Sequence, residues 1–311
     1  MPVVKILVIG SINMDVVNHV LKHPLPGETI KSIKTDYNPG GKGANQAVAA
    51  ALAGAQVMFI GAVGNDPFAS QLLSAIRGMG VHSDFVIHKN GNSGLASITV
   101  DASGENHIIL SEGANGLLTV NDIQDSLEAF ENADIVMLQN EINWDTTRYV
   151  MEESHKRGIS VYFNPAPALQ IPLDILHLID VLILNETEAE SLTGIPVTNE
   201  YQAIQASVKL IDGGVGKVVL TLGSKGALFS DSNFNVKHVP SFDVQVVDTT
   251  AAGDTFIGVL AATTGSTDIS EETLRFASAA AAIKITRKGA LDGIPNKSEI
   301  EAFLTSANSK K

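Results

Sequence analysis

Asp248-Thr249-Thr250-Ala251-Ala252-Gly253-Asp254-Thr255 is the stretch whose residue types point most directly to a reaction. The small residues Ala251, Ala252 and Gly253 precede an apolar helical run, so several backbone N–H groups gather at a helix start. Such a start carries partial positive charge and binds phosphate oxygens. A carboxylate in the same turn, Asp254, can take a proton from a hydroxyl held beside that phosphate. Donors for developing phosphate charge next to a base are the parts phosphoryl transfer needs. The plainer reading makes Asp254 a first-turn acid that favours the helix dipole.

Pro39-Gly40-Gly41-Lys42-Gly43-Ala44-Asn45-Gln46 is the second informative stretch. Its three glycines allow close backbone approach to a ligand, and Asn45 can donate to and accept from sugar hydroxyls. A flexible loop before a helix would also use them. This is not a Walker A loop, because Gly43 follows the lysine and Asp36 stands where the first glycine belongs. The G-x-G-x-x-G pattern fails at Gln46, which argues against a dinucleotide-dependent oxidoreductase.

Asn13, Asp15 and Glu141 each follow a strand-like run. Ligands of parallel sheets bind at the carboxyl ends of strands, so all three can reach one rim; otherwise they are solvated loop residues. Asn185-Glu186-Thr187-Glu188 also follows a strand. Its carboxylates can hold a hydrated Mg²⁺, or serve as first-turn acids of a helix. Thr221 to Gly226 (TLGSKG) is a glycine loop suited to a nucleotide. The chain has no cysteine, which excludes disulfides, thiolate catalysis and Cys-zinc sites.

These groups need a scaffold, and the hydrophobic pattern supplies one. Val3 to Ile9 reads as a buried strand, and Ala44 to Ala55 repeats apolar residues along one helical face. Strands are then expected at Val57 to Val63, Asp134 to Leu138, Ile159 to Phe163, Val181 to Leu184 and Lys217 to Leu222, with Val244 to Val247 strand-like. Helices are expected at Pro67 to Met79, Val120 to Phe130, Thr146 to Arg157, Glu186 to Thr193, Tyr201 to Ile211, Ala251 to Thr263, Glu272 to Ile285 and Lys297 to Thr305. The polar tail Ser306 to Lys311 reads as frayed.

Alternation of strand and helix implies an α/β fold: three layers, a mainly parallel central sheet with helices on both faces. Two β stretches interrupt it. One holds extended runs at Asp15 to Val20 and Thr29 to Lys34; the other is a hairpin, Leu95 to Val100 and Asn106 to Leu110. They read as a small β-sheet lid inserted at about 14–37 and 94–110, or as edge insertions. The 311 residues suit one large α/β domain or two smaller ones. Twenty-one Lys and Arg against 34 Asp and Glu give −13, which argues against nucleic acid or an anionic membrane as partner. No signal-like h-region or long apolar run is visible, so a cytoplasmic location is expected.

Taken together, the motifs resemble the ribokinase group of the PfkB carbohydrate kinase family. Gly40 to Ala55 is similar to the family's first signature and Asp248 to Leu260 to its second. Gly10 to Asp15, Asn164 to Pro167, Asn185 to Glu188 and Thr286 to Ala290 are similar to further family stretches. The resemblance covers essentially the whole chain and implies one kinase domain over 1–311. It implies ATP-dependent phosphorylation of the 5-hydroxyl of D-ribose. A related kinase acting on 2-deoxyribose, another sugar or a nucleoside is the alternative.

By that resemblance Asp254 is the base, and the N–H groups from Ala251, Ala252 and Gly253 to Asp254 form the anion hole. Asn13, Asp15, Gly41, Lys42, Asn45 and Glu141 hold the sugar. Asn185, Thr221, Gly223, Ser224, Gly226, Gly253 and Ser278 line the ATP site, with Glu188 linked to Mg²⁺ through water. A K⁺ loop maps to Asp248, Thr250, Lys284, Arg287, Gly289 and Gly293, and a homodimer through the lid is implied. Three positions depart from the pattern: Ser278 stands where the group often has Asn or His, and Lys284 and Gly293 where it has Ala and Ser.

Overall fold

The run of β-branched and aliphatic residues near the start forms β1 (Lys5–Ile9), whose last four residues are buried. The computed structural model describes residues 3–264 and 268–308. After β1 come β2 (Asn13–His19), β3 (Lys34–Gly40), α1 (Lys42–Leu52), β4 (Gln56–Val63), α2 (Pro67–Gly78) and β5 (Val81–His88). Next are β6 (Gly94–Val100), β7 (Asn106–Ser111), α3 (Val120–Gln124), β8 (Ile135–Gln139), α4 (Trp144–Arg157) and β9 (Ser160–Asn164). The chain continues through β10 (Val181–Asn185), α5 (Glu186–Thr193), α6 (Glu200–Asp212), β11 (Lys217–Thr221), β12 (Ala227–Asp231) and β13 (Val236–Val239). It closes with α7 (Ala252–Thr264), α8 (Glu271–Ile285) and α9 (Lys297–Asn308).

Nine strands make the main sheet, in the order β13-β12-β11-β10-β9-β8-β1-β4-β5. Pairing from β11 through to β5 is parallel, and β12 and β13 add antiparallel. Successive side chains point to opposite faces, so β1 divides its residues cleanly. Ile6 and Val8 pack with α1, α2, α7 and α8, whereas Leu7 and Ile9 pack with α4 and α6. The three-layer α/β expectation therefore holds, with helices covering both faces.

A separate sheet of order β3-β2-β6-β7 is built from the two interrupting stretches. Its second strand starts later than expected. Thr29 to Ile33 is not strand, and β3 instead runs through Pro39 and Gly40. Proline lacks a ladder N–H and is tolerated because β3 is an edge.

Other expectations need correction. Val120 to Phe130 is a short helix followed by a 3₁₀ turn at Leu127–Phe130. Asp125 and Ser126, residues that prefer turns and caps, mark the break. Val244 to Val247 forms no strand, because no neighbouring strand pairs with it. Of the tail, Ser306 to Asn308 extends α9, and residues 309–311 lie outside the described residues. The strand β5 and the hairpin β12–β13 were not expected.

Candidate active site

The site forms where α7 crosses α1. Every residue from Gly43 to Ala50 is buried, so α1 is a core helix whose polar residues must find partners inside. Two of them find the same one. Asn45 Nδ2 donates to Asp254 Oδ2 at 2.9 Å, and Gln46 Nε2 donates to Asp254 Oδ1 at 3.0 Å. Gln46 is held in turn by Gln139 Nε2, which donates to its Oε1 at 2.8 Å. Each Asp254 oxygen keeps lone-pair capacity for one more donor. Asn45 Oδ1 is buried without a partner, an acceptor suited to a ligand hydroxyl.

Asp254 sits in the first turn of α7. Ala251, three residues earlier, adopts φ 57°, a left-handed conformation that costs a non-glycine residue energy. Ala252 N–H and Thr255 N–H are bonded to Thr249 and Ala251 carbonyls, while the Gly253 and Asp254 N–H groups have no acceptor among the described residues. A Cβ on Gly253 would meet nothing within 4 Å, so this glycine keeps the space above the helix start clear. That space is a cavity of about 240 Å³ lined by Lys42, Asn185, Glu188, Thr221, the α7 turn and Asp254.

The rim on the α1 side carries the other expected residues. Gly41 takes φ 95°, and a Cβ there would lie 2.9 Å from Asn13 N. Ser11 Oγ donates to Glu141 Oε2 at 2.5 Å, and Lys42 N donates to the same oxygen at 3.1 Å. Asn13 Oδ1 accepts from Asn115 Nδ2 at 2.7 Å, which fixes the Asn13 side chain. Asp15 lies against Gly40, where a Cβ would come 2.6 Å from its Oδ2.

Charge in this pocket is unbalanced. Asp254, then Glu141 and Glu188, hold the Lys42 ammonium above its usual range despite burial. Burial pushes Glu141 and Glu188 upward. Burial, with Glu141 and Asp254 nearby, raises Asp15 from 3.8 to about 7. A raised acid favours the fold while protonated: its contribution is complete below pH about 4 and is lost as pH climbs through about 7. Asp15→Asn should therefore gain thermal stability over the wild type at pH 8 and gain none at pH 4. Melting temperatures at the two pH values check this, and an equal offset at both would refute it.

Asn185 and Glu188 form a reciprocal cap at the start of α5, through Glu188 N to Asn185 Oδ1 at 2.8 Å and Asn185 N to Glu188 Oε2 at 2.9 Å. The cap and the cavity wall are thus the same two residues. Thr221 also lines the cavity; Gly223, Ser224 and Gly226, in the loop after β11, and Ser278, buried on α8, are not among its lining residues. No cluster of three or more His, Asp or Glu able to hold a metal exists among the described residues. One carboxylate plus waters and phosphates is the arrangement Mg²⁺ accepts, and Glu188 fits that role.

Behind the α7 turn, Asp248 accepts from Thr250 N and Gly289 N, both at 2.9 Å. Burial acts to raise Asp248, but these bonds outweigh it and hold its carboxyl below the usual range. Lys284 is fully buried there, and Arg287 points away to Glu299 at 2.6 Å. Sequence reasoning did not single out Gln46, Asn115 or Gln139. Gln46 in α1 and Gln139 at the end of β8 leave a faint signal, a polar residue within or closing a buried run, whereas Asn115 in its 3₁₀ turn leaves none.

A model of the pfkB family of carbohydrate kinases matches residues 4–297. The chain belongs to this family. A ribokinase of Haemophilus influenzae is 38% identical over 301 residues, covering 96% of this chain and 98% of that one. A deoxyribokinase of Salmonella typhi is 36% identical over 303 residues, covering 96% and 98%. The structure of an Arabidopsis thaliana ribokinase complexed with ribose and ATP superposes with a TM-score of 0.90 at 34% identity, over 97% of this chain and 99% of that one. In pfkB family terms, the signature from Gly40 to Ala55 is the loop and body of α1, and that from Asp248 to Leu260 is the turn and body of α7. The two signatures meet at Asp254.

Proposed function

We propose that this chain transfers the γ-phosphoryl group of ATP to the 5-hydroxyl of D-ribose. The observation that carries the reading is Asp254: both its oxygens are held by α1 amides, beside free N–H groups and an open cavity. Asp254 takes the hydroxyl proton as the sugar oxygen forms its bond to phosphorus and the bond from phosphorus to the β-phosphate bridging oxygen breaks. The N–H groups from Ala251 to Asp254 receive the developing charge, with Gly253 and Asp254 free to donate. Bound Mg²⁺ would neutralise phosphate charge, and Glu188 is the residue placed to hold it through water.

Asn13, Asp15, Gly41, Lys42, Asn45 and Glu141 bind the sugar in this reading. Their acceptors outnumber their donors, which suits a polyol. Asn185, Thr221 and Gly253 face the ATP phosphates, and the loop of Gly223, Ser224 and Gly226 lies further along the same rim. The deoxyribokinase relative is nearly as similar as the ribokinase one, so a 2-deoxyribose preference is the second reading. ADP release with ATP and Mg²⁺, measured over ribose, 2-deoxyribose, fructose and a nucleoside, separates them. The highest specificity constant should fall on ribose; a higher one on 2-deoxyribose would transfer the assignment.

The small sheet is proposed to cover the sugar and to join two copies of the chain. All six residues of β7 are exposed, and apolar Ile109 and Tyr37 are 70% and 57% exposed. Isolated apolar residues need no partner, but a cluster on one sheet with two free edges does. Sedimentation should give twice the monomer mass, and a monomer at micromolar concentration would exclude the dimer. Among the described residues no helix is long and apolar enough to cross a membrane.

A further inference from the structure

The loop behind the anion hole does not fit the monovalent cation that the family resemblance implies. Asp248 is tied into it from two sides by the Thr250 and Gly289 N–H groups. The preceding backbone is tied as well, because Val247 N and Asp248 N both donate to Ile285 O, at 2.7 and 3.1 Å. This links the start of the α7 turn to the end of α8 and to residues 286–293. Lys284, in the last turn of α8, directs its side chain toward Gly293, at the end of that segment. It is wholly buried, and its Nζ has no hydrogen-bond partner.

Gly293 explains how the lysine fits. A Cβ at 293 would lie 2.8 Å from Lys284 Cε and 3.1 Å from Nζ, so the lysine occupies the room a side chain there would need. Two of the three residues that depart from the family pattern are therefore packed on each other. Burial, the largest effect, pushes the Lys284 ammonium below its usual range; Asp248 opposes this and Arg287 adds to it. Arg287 is already paired with Glu299. A buried ammonium is strongly disfavoured without an opposite charge nearby, and Asp248 is a carboxylate that attracts it from beyond hydrogen-bond reach. A second cation brought beside Asp248 would be repelled by this ammonium.

We infer that the Lys284 side chain supplies the positive charge for the Asp248 loop, so that this chain works without K⁺. The inference rests on the kinase reading for its activity arm and on the fold alone for its stability arm. The protein is compared with Lys284→Ala in KCl, NaCl and choline chloride at matched ionic strength, by melting temperature and by ADP release with ribose and ATP. Wild-type melting temperature and rate should agree among the three salts to within about 1.5-fold in rate. Lys284→Ala should lose about ten-fold or more in choline chloride, and KCl should restore several-fold and raise its melting temperature. A wild type that KCl activates several-fold over choline, or stabilises selectively, overturns the inference. So does a Lys284→Ala protein that matches the wild type in choline chloride, or one that does not respond to KCl. If Lys284→Ala does not fold, the wild-type arm decides alone. Absence of ADP release from any sugar would instead strike the kinase reading and leave the melting arm standing.

Discussion

Asp254→Asn should lower kcat by about 10²–10⁴-fold, a loss of roughly 3–5 kcal/mol of barrier reduction, while the protein stays folded and still binds ribose. The amide removes the proton acceptor and keeps the shape. Its NH₂ group would face a donor, since both Asp254 oxygens now accept from amides. Asn45 can relieve the conflict by turning its own amide, because its Oδ1 has no partner to lose. The melting temperature should therefore fall by only a few degrees, and calorimetry should still detect sugar binding. Near wild-type turnover in the folded variant would remove Asp254 from its role as base.

Gly258→Ala should damage stability and turnover together. Gly258 lies one turn beyond Asp254 on α7, where a Cβ would sit 2.3 Å from Gln46 O, 2.7 Å from Ala49 Cβ and 2.9 Å from Ala50 N. None of these is the far end of a flexible side chain, so the two helices must separate. Overpacking of this kind costs about 1–3 kcal/mol, which for a chain this long lowers the melting temperature by roughly 1.5–5 °C. The separation also moves Asp254 away from Asn45 and Gln46, and a misplacement of ~1 Å can cost about 10²-fold in rate. Gly78→Ala is the control, because a Cβ there meets nothing within 4 Å. A Gly258→Ala protein with wild-type melting temperature and kcat would show that the helix contact is not what sets the base.

Much of this site was legible in the sequence because its key residues sit in short, unusual strings. Ala-Ala-Gly-Asp before an apolar run announces a helix start with a carboxylate in it, and the glycines at 40, 41 and 43 announce close approach. The support of these residues was not legible. Gln139 ends β8 and Asn115 lies in a 3₁₀ turn, and each gains its role only when distant segments meet. Strand expectations failed where composition and pairing disagree. Val244 to Val247 has the side chains of a strand but no neighbour, and Val246 is 58% exposed. In β3 the opposite holds: Pro39 and Gly40 look like a turn, yet β2 pairs with both. β propensity describes fit to a half-buried surface, which a single string of letters does not contain.

The bond from Asn45 to Asp254 spans 209 positions of the chain, and this has a consequence for how the protein is made. Synthesis runs from the amino end, and the strands from β8 to β13 can each add beside the strand made just before. The apolar flank of α1, by contrast, waits for α7 and α8, which leave the ribosome among the last elements. Until then Asn45 and Gln46 are amides without a carboxylate between them. Closing so long a loop costs only slowly more with length, and burial of the α1–α7 contact drives it. On the proposed reading of Asp254, a nascent chain acquires its base in the same step that seals its core.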